Sequence, residues 1–213
     1  MESRHFIVIA GNIGSGKTTL TQNLADRYGW TPHFEVHRDN PYLADFYTDM
    51  KRWSLALQMF FLSKRFQAHQ AIIKSNSCAI QDRSIYEDAH IFARALFESG
   101  NMDERDFENY LGIYKTMLPF LAPPDLVVYI RRSVKNLKER IKERGIGYEQ
   151  NISEDYLKHL SQCYEDWIGD YHLGKVLVIE GDDLDLKLNP EHFNYVCKKI
   201  EESLVQPELF FVC

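Results

Sequence analysis

The eight residues Gly11-Asn12-Ile13-Gly14-Ser15-Gly16-Lys17-Thr18 fit G-x-x-x-x-G-K-[ST] at every fixed position. Such a loop turns backbone N–H groups toward a polyphosphate, and the helix that follows adds the partial positive charge of its N-terminus. In that arrangement the Lys17 ammonium reaches the outer phosphates and the Thr18 hydroxyl ligates Mg²⁺, with Thr19 beside it. The alternative is a chance glycine-rich turn. Its flanks argue against that: an apolar run, Phe6 to Ala10 (F-I-V-I-A), stands before the loop and helical spacing through Leu20, Leu24 and Ala25 after it. The loop by itself does not separate phosphoryl transfer to an acceptor from nucleotide-driven switching. The N-K-x-D guanine motif of regulatory GTPases is absent. A short chain with most helices after the loop is more like the small nucleoside and nucleotide kinases.

Other residues could do chemistry beside a triphosphate. Glu35 falls at the expected end of a second strand near Phe34 to Val36. That is the sheet edge where ligands of α/β folds collect. A carboxylate there could take the proton of an attacking hydroxyl, although an exposed strand-end acid is the simpler account of the residue alone. Asp82-Arg83-Ser84 follows a short strand over Cys78 to Gln81. The acid suits Mg²⁺ coordination, directly or through water, and the arginine can offset charge on a transferred phosphoryl group. Gln58 stands among Leu57, Met59 and Phe60 on a long helix. Its amide suits a nucleobase edge and suits equally well a core glutamine bonded to backbone. Arg140 and Arg144 lead into Gly145-Ile146-Gly147-Tyr148, a composition that fits a lid over about 140–152. Exposed helix arginines without such a role are common.

The elements that must position these groups alternate between strand and helix. Helices are expected from Asp39-Asn40-Pro41, over Trp53 to Ser75, Tyr86 to Glu98 and Phe107 to Leu121, from Ser133 to about Glu143, from Ser153, and over Glu191 to Leu204. Strands are expected over Asp125 to Ile130 and Val176 to Glu180, besides those already named. The pattern predicts an α/β fold: a P-loop-type parallel sheet of about five strands flanked by helices, forming a single domain over 1–213. The tail Val205 to Cys213 has no assignable role.

Composition removes several classes. A net charge of -6 argues against non-specific nucleic-acid binding, which needs a clustered basic surface. The four cysteines lack zinc-ligand spacing and are too sparse for a disulfide scaffold. No stretch approaches a membrane span, so a cytoplasmic protein with no membrane partner is expected.

At this level of detail the chain resembles the deoxyribonucleoside kinases, and more closely their bacterial deoxyadenosine/deoxyguanosine kinase branch. The resemblance rests on Phe34-Glu35 with Asp39-Asn40-Pro41-Tyr42-Leu43, on Tyr47 with Arg52-Trp53-Ser54 and Gln58, on Asp82-Arg83-Ser84-Ile85-Tyr86-Glu87-Asp88, and on Arg140 to Gln150. It implies ATP as phosphate donor, Mg²⁺ held by Thr18 and Asp82, and a deoxynucleoside acceptor. Glu35 would be the general base for the 5'-hydroxyl, with Arg83 and Lys17 as the other catalytic groups. The acceptor would be bound by Tyr47 and Glu149 at the sugar, Gln58 and Phe92 at the base, and the pair Arg65–Asp88 at the polar end of the pocket. That pair implies a purine, with deoxycytidine behind. ATP would further meet Arg140, Arg144 and the segment Asp182-Asp183-Leu184. Two departures stand out: Asp82 replaces the usual glutamate, and Ile146 stands where relatives often carry arginine. Helical homodimers are usual in the family. A nucleoside monophosphate kinase, and more distantly a non-catalytic nucleotide-binding module, are the alternatives.

Overall fold

The structure, a computed structural model, describes residues 4–35 and 40–205. Five parallel strands lie in the order β2-β3-β1-β4-β5: β1 (Phe6–Ala10), β2 (Thr31–His33), β3 (Ala79–Asp82), β4 (Leu126–Arg131) and β5 (Lys175–Glu180). Phe6 pairs with Ala79 and Ile7 with Leu126, so β1 is central. Its residues are buried on both faces, which is why it reads as a continuous apolar run.

Alternation along β1 divides the core. Phe6, Val8 and Ala10 face one apolar layer with α3 (Met50–Lys74), α6 (Glu104–Met117) and α8 (Glu154–Gly169). Ile7 and Ile9 face the other, with α1 (Lys17–Tyr28) and α9 (Pro190–Val205). Two short helices, α2 (Leu43–Thr48) and α4 (Ile85–Glu87), and the helix α5 (Arg94–Glu98) complete the acceptor side, and α7 (Val134–Arg144) lies beside the phosphate loop. None of the described helices is long and apolar enough to cross a membrane.

The structure departs from the sequence expectations at identifiable places. β2 stops at His33, and Phe34 is 41% exposed, so Glu35 sits two residues beyond the strand rather than at its end. Val36 and Asp39, part of two expected elements, lie outside the described residues, as does 206–213 of the tail. The helix expected from Asp39-Asn40-Pro41 begins at Leu43, because the Asn40 side chain first accepts the Tyr42 N–H (2.9 Å) in a turn. α3 starts three residues before Trp53, where Asp49 caps it by accepting the Arg52 N–H (3.1 Å). The expected helix over 86–98 is interrupted by a π-helical segment, Asp88–Ala93. Widening the helix there turns Asp88 and Phe92 together into the cleft.

Candidate active site

The phosphate loop takes its shape from glycine. Gly11, Gly14 and Gly16 all have positive φ, and a Cβ on Gly11 would stand 2.6 Å from Ser15 Oγ and 2.9 Å from the Ile130 carbonyl. Asn12 anchors the loop to α8 by donating to the Leu157 carbonyl (3.0 Å) and to Ser161 Oγ (2.9 Å). Lys17 folds back to donate to the Asn12 carbonyl (3.0 Å). Burial and then the neighbouring Arg83 lower its pKa to about 8. Ile13, Gly14, Lys17 and Thr18 line the cleft, whereas Thr19 is half-buried on α1 and does not.

Asp82 ends β3 one strand away. Its Oδ2 accepts the Thr18 hydroxyl proton (2.6 Å), while its buried Oδ1 has no hydrogen-bond partner among the described residues. A threonine hydroxyl and an under-used carboxylate converging at the loop form an oxygen donor set of the kind a hard divalent cation takes. The next residue, Arg83, has a left-handed backbone (φ 68), strained for a side chain of this size. That turn lays its guanidinium over the Phe92 ring, 4.2 Å from the centroid.

Four charged side chains close the acceptor end. Arg65 donates through Nε to Asp88 (2.6 Å) and through Nη2 to Glu35 Oε1, and Arg83 Nη1 stands 3.6 Å from the same Glu35 oxygen. The Arg65, Glu35 and Asp88 side chains are 5%, 2% and 1% exposed, so the network is dry. Burial pushes the Asp88 carboxyl up to about 7 against the pull of Arg65. Burial also works against the Arg65 charge, but Asp88 and Glu35 overcome it and raise its pKa. Gln58 shares the wall, its Oε1 buried and unpartnered among the described residues. An orphaned acceptor beside an aromatic face is an arrangement that a bound polar ring completes.

Tyr47, which lines the cleft, stacks on Tyr148 (centroids 5.6 Å apart), and Glu149 lines the cleft and is ion-paired to Arg144. The whole cleft encloses about 680 Å³, its mouth included, in the range of small-molecule sites. Arg144 lines it, but Arg140 does not. Arg140 donates to the Gly14 carbonyl (3.0 Å) and braces the loop from outside. Asp182, Asp183 and Leu184 also lie off the cleft wall. Asp182 accepts the Ser133 N–H (2.9 Å), and the Leu184 carbonyl accepts from Arg132 (2.9 Å).

Arg132 is a residue that sequence reasoning missed. It is buried, and its Nε donates to the Ser15 carbonyl (2.9 Å), linking the 182–184 segment to the phosphate loop. The available signal was a second cation directly after the β4 run, Ile130-Arg131-Arg132. Leu57 and Tyr156, which also line the cleft, carried no signal distinct from core. Remote from the cleft, Glu98, His159 and Cys163 hold donor atoms within 4.8 Å of one another. There Glu98 already accepts from Arg94 (2.7 Å) and pairs with His159 (2.6 Å), so the group is closed on itself.

Known proteins are similar to this chain in sequence and in fold. Residues 7–206 match the family described as deoxynucleoside kinase. The chain is 38% identical over 188 residues to the deoxyadenosine/deoxycytidine kinase of Bacillus subtilis (strain 168), covering 87% of this chain and 86% of that one. It is 33% identical over 209 residues to the deoxyguanosine kinase of the same organism, covering 96% and 100%. The fold is similar to that of deoxyadenosine kinase from M. mycoides with bound dATP, with a TM-score of 0.82, 26% identity, and 93% and 100% of the two chains covered.

Proposed function

We propose that this chain, which belongs to the deoxynucleoside kinase family, transfers the γ-phosphoryl group of ATP to the 5'-hydroxyl of a purine deoxynucleoside, ahead of deoxycytidine. The observation that carries the reading is the placement of Glu35 in one cleft with Lys17 and Thr18, its carboxylate 3.6 Å from Arg83. Glu35 takes the proton of the attacking hydroxyl as the oxygen approaches phosphorus. Lys17 and the loop amides hold the triphosphate, and Arg83 offsets charge on the moving phosphoryl group. Arg144 and Arg140 act from the lid side, one in the cleft and one through the loop. The segment Asp182-Asp183-Leu184 borders the donor's base.

Thr18 and Asp82 would hold Mg²⁺, which when bound supplies neutralisation of triphosphate charge. At the acceptor end, Tyr47 and Glu149 orient the sugar, and Phe92 and Gln58 stack and pair with the base. Arg65 and Asp88 present cation and acid to its polar edge, which favours a base carrying both donor and acceptor. The names of the relatives, deoxyadenosine, deoxyguanosine and deoxycytidine kinases, support the same substrate class. Because Arg65 also grips Glu35, a bound acceptor must draw Arg65 toward the base before Glu35 is available. The same reading makes the chain a cytoplasmic salvage enzyme working as a homodimer.

A coupled kinase assay against the four deoxynucleosides and their monophosphates tests the proposal. Turnover is expected on deoxyadenosine or deoxyguanosine, with none on dAMP or dTMP. Activity confined to monophosphates would replace it with a monophosphate kinase. ATP binding without transfer to any nucleoside would leave a nucleotide-binding module.

A further inference from the structure

Glu87 is fully buried, three residues past Ser84, and no step above uses it. The Ser84 N–H and hydroxyl both donate to its Oε2 (2.8 and 3.2 Å). Its other oxygen, Oε1, lies 2.7 Å from the hydroxyl of Tyr164, which arrives from α8. That same hydroxyl stands 2.8 Å from the carbonyl of Gly11, the first residue of the phosphate loop. Tyr164 is itself fully buried and stacks on Tyr129, ring centroids 5.4 Å apart, so the hydroxyl has no freedom to move away.

Counting protons decides the form of this junction. Tyr164 has one hydroxyl proton and two oxygen neighbours. With Glu87 ionised, either the Gly11 carbonyl or Oε1 lacks a donor from Tyr164. With Glu87 neutral, Oε1–H donates to the tyrosine oxygen, the tyrosine donates to Gly11, and Oε2 accepts both Ser84 protons. Every hydrogen is then used once, as dry polar groups require.

We infer that Glu87 is a positioning residue, held as the neutral acid, which through Tyr164 locks the turn carrying Arg83 to the phosphate loop. The turn needs such a hold. Arg83 is the one non-glycine residue with positive φ among those described, and its N–H donates to the Ile9 carbonyl (3.0 Å) on the strand that feeds the loop. A left-handed backbone at a bulky residue relaxes unless its surroundings over-determine it. Relaxation would swing the Arg83 guanidinium off Phe92 and away from Glu35. Burial raises the Glu87 pKa, opposed by Arg83 from its own turn, by the Tyr164 hydroxyl of α8 and by Lys17 of α1.

The inference rests on Arg83 and the loop being transfer machinery, so the test has one arm that depends on activity and one that does not. Glu87→Gln keeps these two contacts, with one amide N–H donating toward Tyr164 and the amide oxygen accepting from Ser84, and brings one N–H more than the acid. That variant is expected to keep kcat within about 3-fold. Glu87→Ala and Tyr164→Phe are expected to lower kcat by about 10- to 100-fold, the size of a small misplacement of reacting groups, with KM for the nucleoside little changed. Tyr164→Phe removes a single oxygen and keeps the arm decisive if the alanine variant fails to fold.

Infrared difference spectra of the full chain carrying ¹³C-labelled glutamate, wild type against Glu87→Gln, supply the second arm. A neutral carboxylic-acid band present only in wild type is expected at neutral pH. Loss of turnover in Glu87→Gln equal to that in Glu87→Ala would overturn the inference, as would absence of that band. If the wild-type chain phosphorylates no nucleoside, the functional proposal fails, and the band together with ATP affinity in Tyr164→Phe still decides the clamp.

Discussion

Arg65→Met should cost more stability at pH 8 than at pH 6, and the difference follows from the buried network. In the wild type Arg65 serves two carboxylates, Asp88 and Glu35, whose side chains are 1% and 2% exposed. Near pH 8 Asp88 is mostly ionised, since burial holds it at about 7. Methionine fills most of the space but takes the guanidinium away from both carboxyl groups, while Arg83 stays 3.6 Å from Glu35. Breaking a buried pair in this way costs about 3–5 kcal/mol. For a chain of this length that corresponds to a fall in Tm of roughly 6–20 °C.

Near pH 6 Asp88 is largely protonated even beside Arg65, so the substitution leaves little ionised Asp88 without its cation. The loss should then shrink to about 1–3 kcal/mol. The sign agrees with linkage: a carboxyl with a raised folded pKa contributes stability that is full below its unfolded value. That contribution is lost as pH rises through the folded value, here from about 4 to about 7. Removing Arg65 raises Asp88 further and steepens the loss. Asp88→Asn added to Arg65→Met should recover more than about 1 kcal/mol near pH 8 and little near pH 6. Urea melts of the three variants at both pH values read all of this. A cost below about 1 kcal/mol near pH 8, or one that does not vary with pH, would refute the description of the network as dry and shared.

Further predictions concern the transfer site. Glu35→Gln should lower kcat by about two to four orders of magnitude while calorimetric ATP affinity stays near wild type, and near-normal turnover would remove Glu35 as the base. Arg83→Gly and Arg83→Ala should both lose turnover, yet the glycine variant should be the more stable by about 1 kcal/mol, because only glycine takes φ 68 without strain; equal melting temperatures would contradict that. Gly11→Ala should abolish ATP binding in a titration, since its Cβ would meet Ser15 Oγ at 2.6 Å and the Ile130 carbonyl at 2.9 Å. Asp82→Asn should raise the Mg²⁺ concentration needed for half-maximal turnover several-fold, because the carboxylate beside Thr18 loses its charge.

Much was legible along the chain. The phosphate loop, the buried strand before it and the helix after it are contiguous, and their geometry is written in local terms: glycine where φ is positive, apolar residues where both faces are covered. For the same reason the order of strands and helices, and with it the fold class, could be read from periodicity and turn residues. The caps at Ser133 and Ser153 are local signals of that kind.

The resemblance already paired Arg65 with Asp88, but only the folded chain decided that Arg65 also meets Glu35. Arg65 lies 30 residues from Glu35 and 23 from Asp88, and no local pattern states that one guanidinium serves both. Arg132 and Tyr164 reach the phosphate loop over 117 and 153 residues, so in sequence they look like a strand-end cation and a core aromatic. Backbone propensity is local, whereas the pairing of buried polar groups is settled by which elements the sheet brings side by side. Parallel packing puts the ends of β1 and β3 on one edge and delivers the helices to it, and that edge is where the polar groups of distant segments find their partners.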